Sequence, residues 1–253
     1  MILDAFRLTG KNALVTGASR GIGAAIAIAL AEAGAGVAVH ANQTPADETL
    51  ARVRDTGGKC ILIEGDVADS EACHQMIDKT IAELGSIDIL VNNAGIIRRA
   101  PAENYSDDDW RRVIEVDLNG VFRLCQLAGR RMLQQGGGKI INIASLLSFQ
   151  GGILVPAYAA AKGAVAQLTK ALANEWAAKG ICVNAIAPGY IATDNTAALR
   201  TDEKRNRQIL ERIPAGRWGV PQDLCGAAVF LASSASDYLQ GHVLVVDGGW
   251  LAR

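Results

Sequence analysis

The stretch from Asn12 to Ala33 constrains the fold more than any other part of the sequence. A short apolar run, Asn12 to Thr16, leads into three glycines within seven residues, and an alanine-rich run follows directly. This order predicts a strand, a tight turn and a helix. Such a turn brings unpaired backbone N–H groups and the positive end of a helix dipole to one point, which suits a pyrophosphate. The spacing, G-x-x-x-G-x-G over Gly17, Gly21 and Gly23, departs from the usual G-x-G-x-x-G but supplies the same small residues.

Apolar runs of strand length and helical patterns alternate along the rest of the chain. The 253 residues are 50% hydrophobic and only 5% aromatic, which indicates an aliphatic core of the kind found in parallel sheets covered by helices. With no linker or internal repeat, the sequence predicts an α/β protein with one domain, residues 1–253. We expect a Rossmann-type doubly wound parallel sheet of about seven strands, with helices on both faces and ligands at the carboxyl ends of the strands. The predicted strands are 12–16, 36–41, 60–64, 87–91, 140–143, 181–187 and 242–246, and the predicted helices are 24–33, 70–84, 105–135 with an interruption near Asn119-Gly120, 158–179 and 221–232.

Candidate catalytic groups follow the predicted strand 140–143. Ser145 comes just after its end, and Tyr158 and Lys162 are spaced i, i+4, which places both side chains on one face of a helix. A phenol has a free pKa of about 10, and an ammonium one turn away stabilises its ionised form. The pair therefore predicts a general acid and base, with Ser145 as a hydroxyl donor to a developing oxyanion. Taken alone, a Tyr-x-x-x-Lys pattern also occurs on ordinary amphipathic helices.

The end of the second predicted strand bears on the choice between NAD and NADP. An acidic residue there binds the ribose 2′-hydroxyl and repels a 2′-phosphate. Residues 40–44 are His, Ala, Asn, Gln and Thr, without a carboxylate, and Arg20 in the glycine turn is a partner for a 2′-phosphate. This favours NADP, although Asn42 or Gln43 can equally hydrogen-bond a ribose.

Polar residues also follow the next two predicted strands. Asp66-Val67 can contact an adenine edge, whereas an N-cap role for Asp66 or Asp69 is an equal alternative. Asn92 to Gly95 ends an apolar strand in turn-forming residues, beside which a coenzyme can lie. The polar stretch 190–213 breaks the alternation of strands and helices and is a candidate lid over the substrate.

Charge and composition exclude several classes of function. The net charge is −1 with no long basic run, so we expect no binding to nucleic acid or to an anionic membrane. The five cysteines are odd in number without a C-x-x-C pair, and the three histidines lie far apart, so neither disulfides nor a metal site is predicted. The amino terminus lacks the features of a signal peptide, and no apolar run approaches about 18 residues. We expect a cytoplasmic protein.

Motifs in matching order and spacing over the whole chain resemble those of the classical short-chain dehydrogenase/reductase family. They are TGASRGIG (16–23), Asp66-Val67, NNAG (92–95), Asn119, Ser145, Tyr158-x-x-x-Lys162 and Pro188-Gly189. The resemblance implies Tyr158 as acid and base, Ser145 as carbonyl orienter, Lys162 on the nicotinamide ribose, and Asn119 holding a proton-relay water. It also implies a homotetramer built partly from the two long helices. The coenzyme that it implies, NAD(P)H, is expected to contact Gly17, Ser19, Arg20, Gly21, Ile22, Gly23, Asn42, Asp66, Val67, Asn93, Ala94, Gly95, Tyr158, Lys162, Pro188, Gly189, Ile191 and Thr193.

Longer stretches narrow the resemblance within that family. NNAGIIRR, KIINIAS, VNAIAPGYIATDNT and RIPAGRWG are similar to dehydrogenases of keto-deoxy sugar acids that act in pectin and hexuronate breakdown, typically with NADH. A small sugar acid as substrate presents a carboxylate and several hydroxyls, which call for a cation and for amide or hydroxyl partners. Arg98 or Arg99 can supply the cation, and Ser148, Gln150 and Asn195 the other contacts. Alternatively, both arginines only bridge subunits or meet solvent.

Other functions stay open at this point. A 3-oxoacyl carrier-protein reductase or a gluconate 5-dehydrogenase shares the same catalytic residues. A dinucleotide-binding regulator without turnover is the alternative outside enzymes, although the combination of Asn119, Ser145, Tyr158 and Lys162 speaks against it.

Overall fold

The seven strands form one sheet in which every neighbouring pair is parallel. The computed structural model describes residues 1–253. The strand order is β3-β2-β1-β4-β5-β6-β7, so the direction of winding reverses between β1 and β4. In doubly wound sheets that reversal opens a crevice at the carboxyl ends of the two strands. The strands are β1 (Asn12–Val15), β2 (Gly36–Ala41), β3 (Cys60–Glu64), β4 (Ile89–Asn92), β5 (Gly138–Ile143), β6 (Ile181–Pro188) and β7 (Val243–Val246).

Helices connect these strands and cover both faces of the sheet. They are α1 (Gly21–Glu32), α2 (Asp47–Asp55), α3 (Ser70–Leu84), α4 (Asp107–Ile114), α5 (Gly120–Gln135), α6 (Pro156–Trp176), α7 (Ala197–Thr201), α8 (Glu203–Arg212) and α9 (Cys225–Ala232). The fold class, the seven strands and the long helices confirm the sequence prediction. Helix α2 was not predicted, because its polar sequence DETLARVRD buries only Thr49, Leu50 and Val53. None of the helices combines the length and apolar character that crossing a bilayer requires.

Two aliphatic clusters hold the helices against the sheet. One contains Val15 of β1 and Ile26 of α1, and the other contains Leu14 of β1 and Leu124 of α5. Neighbouring residues of one strand thus enter opposite clusters, as expected from the alternation of side chains along a strand. All eight residues of β6 are buried, which fits a strand covered on both faces. Each fully buried aliphatic side chain stabilises the fold by roughly 1.5 to 3 kcal/mol.

The interruption predicted near Asn119-Gly120 is a turn of π-helix at Glu115–Asn119, between α4 and α5. A π turn inserts an additional residue into the helix and changes the direction in which the following side chains point. In this turn Asp117 is buried and Asn119 is only half-buried.

Candidate active site

A cleft of about 400 Å³ opens at the carboxyl ends of the strands. Every residue that the sequence analysis assigned to the coenzyme lines this cleft, and so do Ser145 and Asn195. Of the other predicted site residues, Asn119, Arg98, Arg99, Ser148 and Gln150 do not line it. The cleft spans the reversal point between β1 and β4, where the topology places a ligand crevice.

The glycine turn after β1 packs against the loop after β4 with no room for side chains. A Cβ atom on Gly23 would lie 2.3 Å from the carbonyl oxygen of Gly17 and 2.4 Å from Nδ2 of Asn93. That amide donates to the carbonyl oxygens of Thr16 (2.9 Å) and Gly17 (3.0 Å). The Thr16 hydroxyl in turn accepts from the backbone N–H groups of Asn93 and Ala94. Asn93 and Thr16 therefore fix the floor of the cleft.

His40 also fixes the glycine turn, a role that the sequence analysis did not assign to it. Its Nδ1 accepts from the backbone N–H of Gly17 at 3.0 Å, which leaves Nε2 as the donor to the carbonyl oxygen of Gly65, also at 3.0 Å. Burial lowers the pKa of His40, against smaller opposing effects of the Gly65 carbonyl and Asp66. The neutral ring with one acceptor nitrogen is the form that both contacts require. A single histidine at the end of a strand does not indicate from sequence that its ring links Gly17 to Gly65.

The two aspartates after β3 have separate positions. Asp69 is the N-cap of α3, since its Oδ1 accepts from the N–H groups of Glu71 and Ala72. Asp66 lines the cleft, where its Oδ2 accepts from Arg112 at 2.6 Å and its Oδ1 accepts from the Ala68 N–H. The structure therefore gives the cap to Asp69 and leaves Asp66 beside the ligand cleft.

The end of β2 presents amide and hydroxyl groups to the cleft. Asn42, Gln43 and Thr44 all line it. Arg20, at the start of α1, is exposed and forms an ion pair with Asp194 of the segment 190–213. This pair links the glycine turn to the opposite rim.

Tyr158 and Lys162 lie on one face of α6, as their spacing predicts. Lys162 is 3% exposed, and its Nζ donates to the Ile143 carbonyl oxygen at 2.9 Å and lies 5.4 Å from the centre of the Tyr158 ring. Ser145 follows β5, and its Oγ accepts from the Leu147 N–H at 3.1 Å. All three residues line the same cleft.

Burial and the neighbouring charges shift the pKa of Tyr158 in opposite directions. Burial raises the pKa of Tyr158, the Lys162 ammonium lowers it, and the Asp117 carboxylate raises it. Smaller effects of Ser145 and Arg99 lower it. The net result is a pKa above the usual value of the phenol, which keeps it protonated, and one cation and one anion behind it act on that pKa in opposite directions.

Asp117, not Asn119, faces the lysine from the π turn. Oδ2 of Asp117 lies 3.5 Å from Nζ of Lys162, and the aspartate is fully buried. The amide of Asn119 instead donates to Oε2 of Glu115 at 2.6 Å, directed away from the cleft. The π turn explains why Asp117 and not Asn119 faces Lys162, because it decides which of the two side chains points inward. Asp117 was not predicted, since spacing in the sequence alone does not locate a π turn to the residue.

The two arginines after β4 diverge. Arg98 forms an ion pair with Asp109 at 3.4 Å, and its carbonyl oxygen accepts from the Tyr105 hydroxyl. Arg99 instead reaches the opposite rim, where it donates to the Asn195 carbonyl oxygen at 3.2 Å. Arg99 is also near enough to Tyr158 to influence its pKa. Of the two, only Arg99 is among the groups that act on the pKa of Tyr158.

Ser148 and Gln150 use their side chains within the protein. The Ser148 hydroxyl donates to the Lys162 carbonyl oxygen at 2.6 Å and so ties the loop after β5 to α6. Oε1 of Gln150 accepts from Arg212 at 3.3 Å and from the Trp250 indole at 3.2 Å. Both residues shape the wall next to Ser145, and their predicted contacts with a substrate stay predictions.

The polar segment 190–213 lies beside this wall and contains α7 and α8. Ile209 and Ile213 bury their side chains with Leu146 and Trp250. The rest of the segment is mostly exposed, and Thr193 to Thr196 line the cleft. A small apolar anchor thus holds an otherwise polar rim.

Comparison with known proteins matches the whole chain. A family model described as enoyl-(acyl carrier protein) reductase matches residues 17–251. The 2-dehydro-3-deoxy-D-gluconate 5-dehydrogenase of Bacillus subtilis (strain 168) is 59% identical over 253 residues, which cover 99% of this chain and 98% of the relative. This chain belongs to the short-chain dehydrogenase/reductase family. The Escherichia coli (strain K12) protein with the same name as the Bacillus relative is 52% identical, with 100% of both chains covered.

A solved crystal structure has nearly the same fold. The gluconate 5-dehydrogenase from Burkholderia cenocepacia J2315, in complex with NADP and tartrate, superposes with a TM-score of 0.94. It is 45% identical, and the match covers 100% of both chains. The present chain is accordingly an NAD(P)-dependent oxidoreductase.

The residues of this short-chain dehydrogenase/reductase fit such a coenzyme. The glycine turn lines the cleft with backbone alone at Gly17, Gly21 and Gly23, and the N–H groups at the start of α1 border it. Asn42, Asp66 and Thr193 line the cleft around it. The structure contains no group of three or more His, Cys, Asp or Glu side chains that could hold a metal ion.

Proposed function

We propose that this chain is a 2-dehydro-3-deoxy-D-gluconate 5-dehydrogenase, which reduces the keto group of a small keto-deoxy sugar acid and catalyses the reverse oxidation. The observation that carries the proposal is Arg99, a cation on the rim that donates to the Asn195 carbonyl oxygen and whose charge lowers the pKa of Tyr158. An anionic substrate can therefore place its carboxylate on Arg99 while its ketone lies at Tyr158. Relatives with this name match the full length at 59% and 52% identity, which supports the same assignment.

The catalytic step follows from Tyr158, Ser145 and Lys162. Bound NAD(P)H supplies the hydride to the substrate carbonyl carbon. Tyr158 gives its phenolic proton to the carbonyl oxygen, and the Ser145 hydroxyl donates a hydrogen bond to the same oxygen. Lys162 stabilises the tyrosinate left behind, and its bond to the Ile143 carbonyl holds it in place. In oxidation the proton passes from the substrate hydroxyl to the tyrosinate.

We assign the substrate carboxylate to Arg99 and not to Arg98. A guanidinium binds a carboxylate through two parallel hydrogen bonds, and Arg99 has only a backbone oxygen as its partner. Arg98 is already paired with Asp109. Asn195 lies on the same rim and is exposed, so its amide is available to a substrate hydroxyl. The segment 190–213 acts as the lid.

NADP is the coenzyme favoured by the end of β2. The cleft residues there are Asn42, Gln43 and Thr44, which do not repel a 2′-phosphate. Arg20 is exposed and paired only with the exposed Asp194, and such surface pairs contribute about 0 to 1 kcal/mol. A 2′-phosphate can therefore recruit Arg20 at little cost.

We further propose a homotetramer in the cytoplasm. Trp110 of α4 and Phe122 of α5 are each 43% exposed, which is unusual for large apolar side chains and supports burial of these helices against another subunit. All five cysteines are free thiols, in keeping with a reducing compartment. Light scattering should give a mass about four times that of one chain, and a dimer or monomer would contradict this part.

A substrate screen tests the proposed function. Purified protein is assayed with NADH and NADPH against a set of uronate-derived keto acids, 5-ketogluconate and a 3-oxoacyl thioester. The proposal predicts the highest kcat/KM for a keto-deoxy sugar acid, with NADPH accepted at least as well as NADH. A preference for 5-ketogluconate would identify a gluconate 5-dehydrogenase instead, and a preference for the thioester would identify an acyl reductase. Either result would overturn the assignment.

A further inference from the structure

Both oxygens of the buried Asp117 carboxyl group face hydrogen-bond donors. Its Oδ1 accepts from the Ile96 backbone N–H at 2.8 Å, and its Oδ2 faces Nζ of Lys162 at 3.5 Å. Oδ2 accepts no hydrogen bond. At that distance the contact is an ion pair and not a hydrogen bond. Because both oxygens face donors, a protonated carboxyl would have no acceptor for its hydrogen.

The position of Asp117 is fixed from above by the loop after β4. A Cβ atom on Gly95 would lie 2.8 Å from Oδ2 of Asp117, so the carboxyl packs directly beneath that loop. It is completely excluded from solvent. A charge held in this way is screened little by salt or water and acts strongly on its neighbours.

Few other titratable groups face Asp117. From α6 come Lys162 and, behind it, Tyr158, whose pKa the aspartate raises. From the segment before α4 comes Tyr105, whose hydroxyl donates to the Arg98 carbonyl oxygen and whose pKa the aspartate also raises, though less than burial does. The loop after β4 contributes only the Ile96 N–H. Glu115, on the same π turn, is turned away and pairs with Arg123.

We propose that Asp117 is a positioning residue that neutralises the charge of Lys162 and thereby keeps Tyr158 protonated, so that the site favours proton donation to a ketone. The inference rests on the proposed function for the identity of the reaction. Lysine alone would stabilise the tyrosinate, which accepts a proton from an alcohol. The lysine and aspartate together carry no net charge, so less of that stabilisation reaches the phenol. Burial raises the pKa of Asp117 while Lys162 and the Ile96 N–H oppose this, which agrees with a carboxylate whose charge depends on its partner.

The variant Asp117→Asn tests this role, because the amide keeps an acceptor for the Ile96 N–H and removes the negative charge. Glu115→Gln is the matched control, since it removes the same charge from the same turn without facing Lys162. Two readings are taken for each protein. One is the pH dependence of kcat/KM for oxidation and for reduction. The other is the ultraviolet titration of tyrosinate, measured without substrate and corrected with the same titration in a Tyr158→Phe background.

Asp117→Asn is expected to move the acid limb of oxidation and the alkaline limb of reduction to lower pH together, by about one pH unit, because both limbs report Tyr158. The tyrosinate titration should move in the same direction, and Glu115→Gln should leave all three unchanged. Unchanged profiles in Asp117→Asn, or equal shifts in the control, would overturn the proposal.

Two further outcomes are decided by the same set of proteins. If Asp117→Asn does not fold, Asp117→Ser replaces it with the same expectation, and failure of both to fold would assign Asp117 to stability and overturn the tuning role. If no keto sugar acid is turned over, the proposed function fails, but the substrate-free tyrosinate titration still decides on Asp117.

Discussion

The two walls of the cleft are built in different ways. The coenzyme wall, formed by the ends of β1, β2 and β4, consists of backbone, glycines and buried hydrogen bonds such as that of His40 to Gly17. The substrate wall consists of exposed residues, among them Arg99, which donates to the Asn195 carbonyl oxygen, and Asp194, which pairs with Arg20. The first wall leaves no freedom for change, whereas the second can change without disturbing the core. A common coenzyme and a variable substrate are what such a division allows.

The largest effect of a substitution is expected where the coenzyme wall is packed most tightly. Gly23→Ala places a Cβ atom 2.3 Å from a backbone oxygen that cannot move aside. Overpacking of this kind costs about 1 to 3 kcal/mol, so we expect coenzyme affinity to fall by up to about 100-fold, with a lower Tm. Titration calorimetry with NADPH and a thermal melt measure both.

The control for this change is Gly226→Ala in α9, where a Cβ atom meets nothing within 4 Å. Alanine in a helix is favoured over glycine by about 0.5 to 1 kcal/mol, so this variant should melt at the same temperature or higher and bind coenzyme normally. If Gly23→Ala binds the coenzyme normally, the coenzyme wall tolerates substitution as well as the substrate wall does.

The substrate wall should respond in KM and not in folding. Arg99→Ala removes the proposed carboxylate partner, and a hydrogen bond to a charged group is worth about 1.5 to 3 kcal/mol, so KM for the keto acid should rise roughly 10- to 100-fold. Arg98→Ala is the matched control and should change KM little, because Arg98 is paired with Asp109. Steady-state kinetics separates the two. A larger effect at Arg98 would reverse the assignment of the arginines.

A smaller effect is expected from pH at the coenzyme wall. Burial holds the pKa of His40 below its ordinary value of 6.5, so the folded state favours the neutral ring. The ring therefore contributes its full stability above pH 6.5, and this contribution is lost as the pH falls through the lowered pKa of the folded protein. We expect Tm to decline by a few degrees in that window.

Substitution of His40 isolates this contribution. In His40→Gln the decline attributable to the ring should be absent, whereas in His74→Gln, at an exposed position on α3, it should persist. Melting curves between neutral and mildly acidic pH provide the measurement. If the Tm of His40→Gln declines with falling pH as much as that of the unmodified protein, the decline does not arise from His40.

The same division explains what could be predicted from the sequence. Gly17, Gly21 and Gly23 reveal the coenzyme wall because its geometry depends on short-range spacing and on the absence of side chains. The paired roles of Tyr158 and Lys162 follow from helical periodicity, which is equally local. By contrast, nothing near Arg98 and Arg99 in sequence indicates that one meets Asp109 and the other meets Asn195, 96 residues away.

Two local features also escaped prediction for physical reasons. Helix α2 is too polar to show a strong apolar period, and its three buried residues become visible only against the sheet. The π turn at Glu115–Asn119 could be placed near Asn119 from helix propensity, but which side chain it turns inward depends on packing against α6. Asp117 was therefore overlooked, although it lies closer to Lys162 than any other carboxylate.

The most direct test is single-turnover reduction by Tyr158→Phe with NADPH and substrate both saturating. The account predicts that coenzyme affinity changes little while the rate of the chemical step falls by about 10² to 10⁴, the range for loss of a general acid. A rate close to that of the unmodified protein, with coenzyme bound, would contradict it.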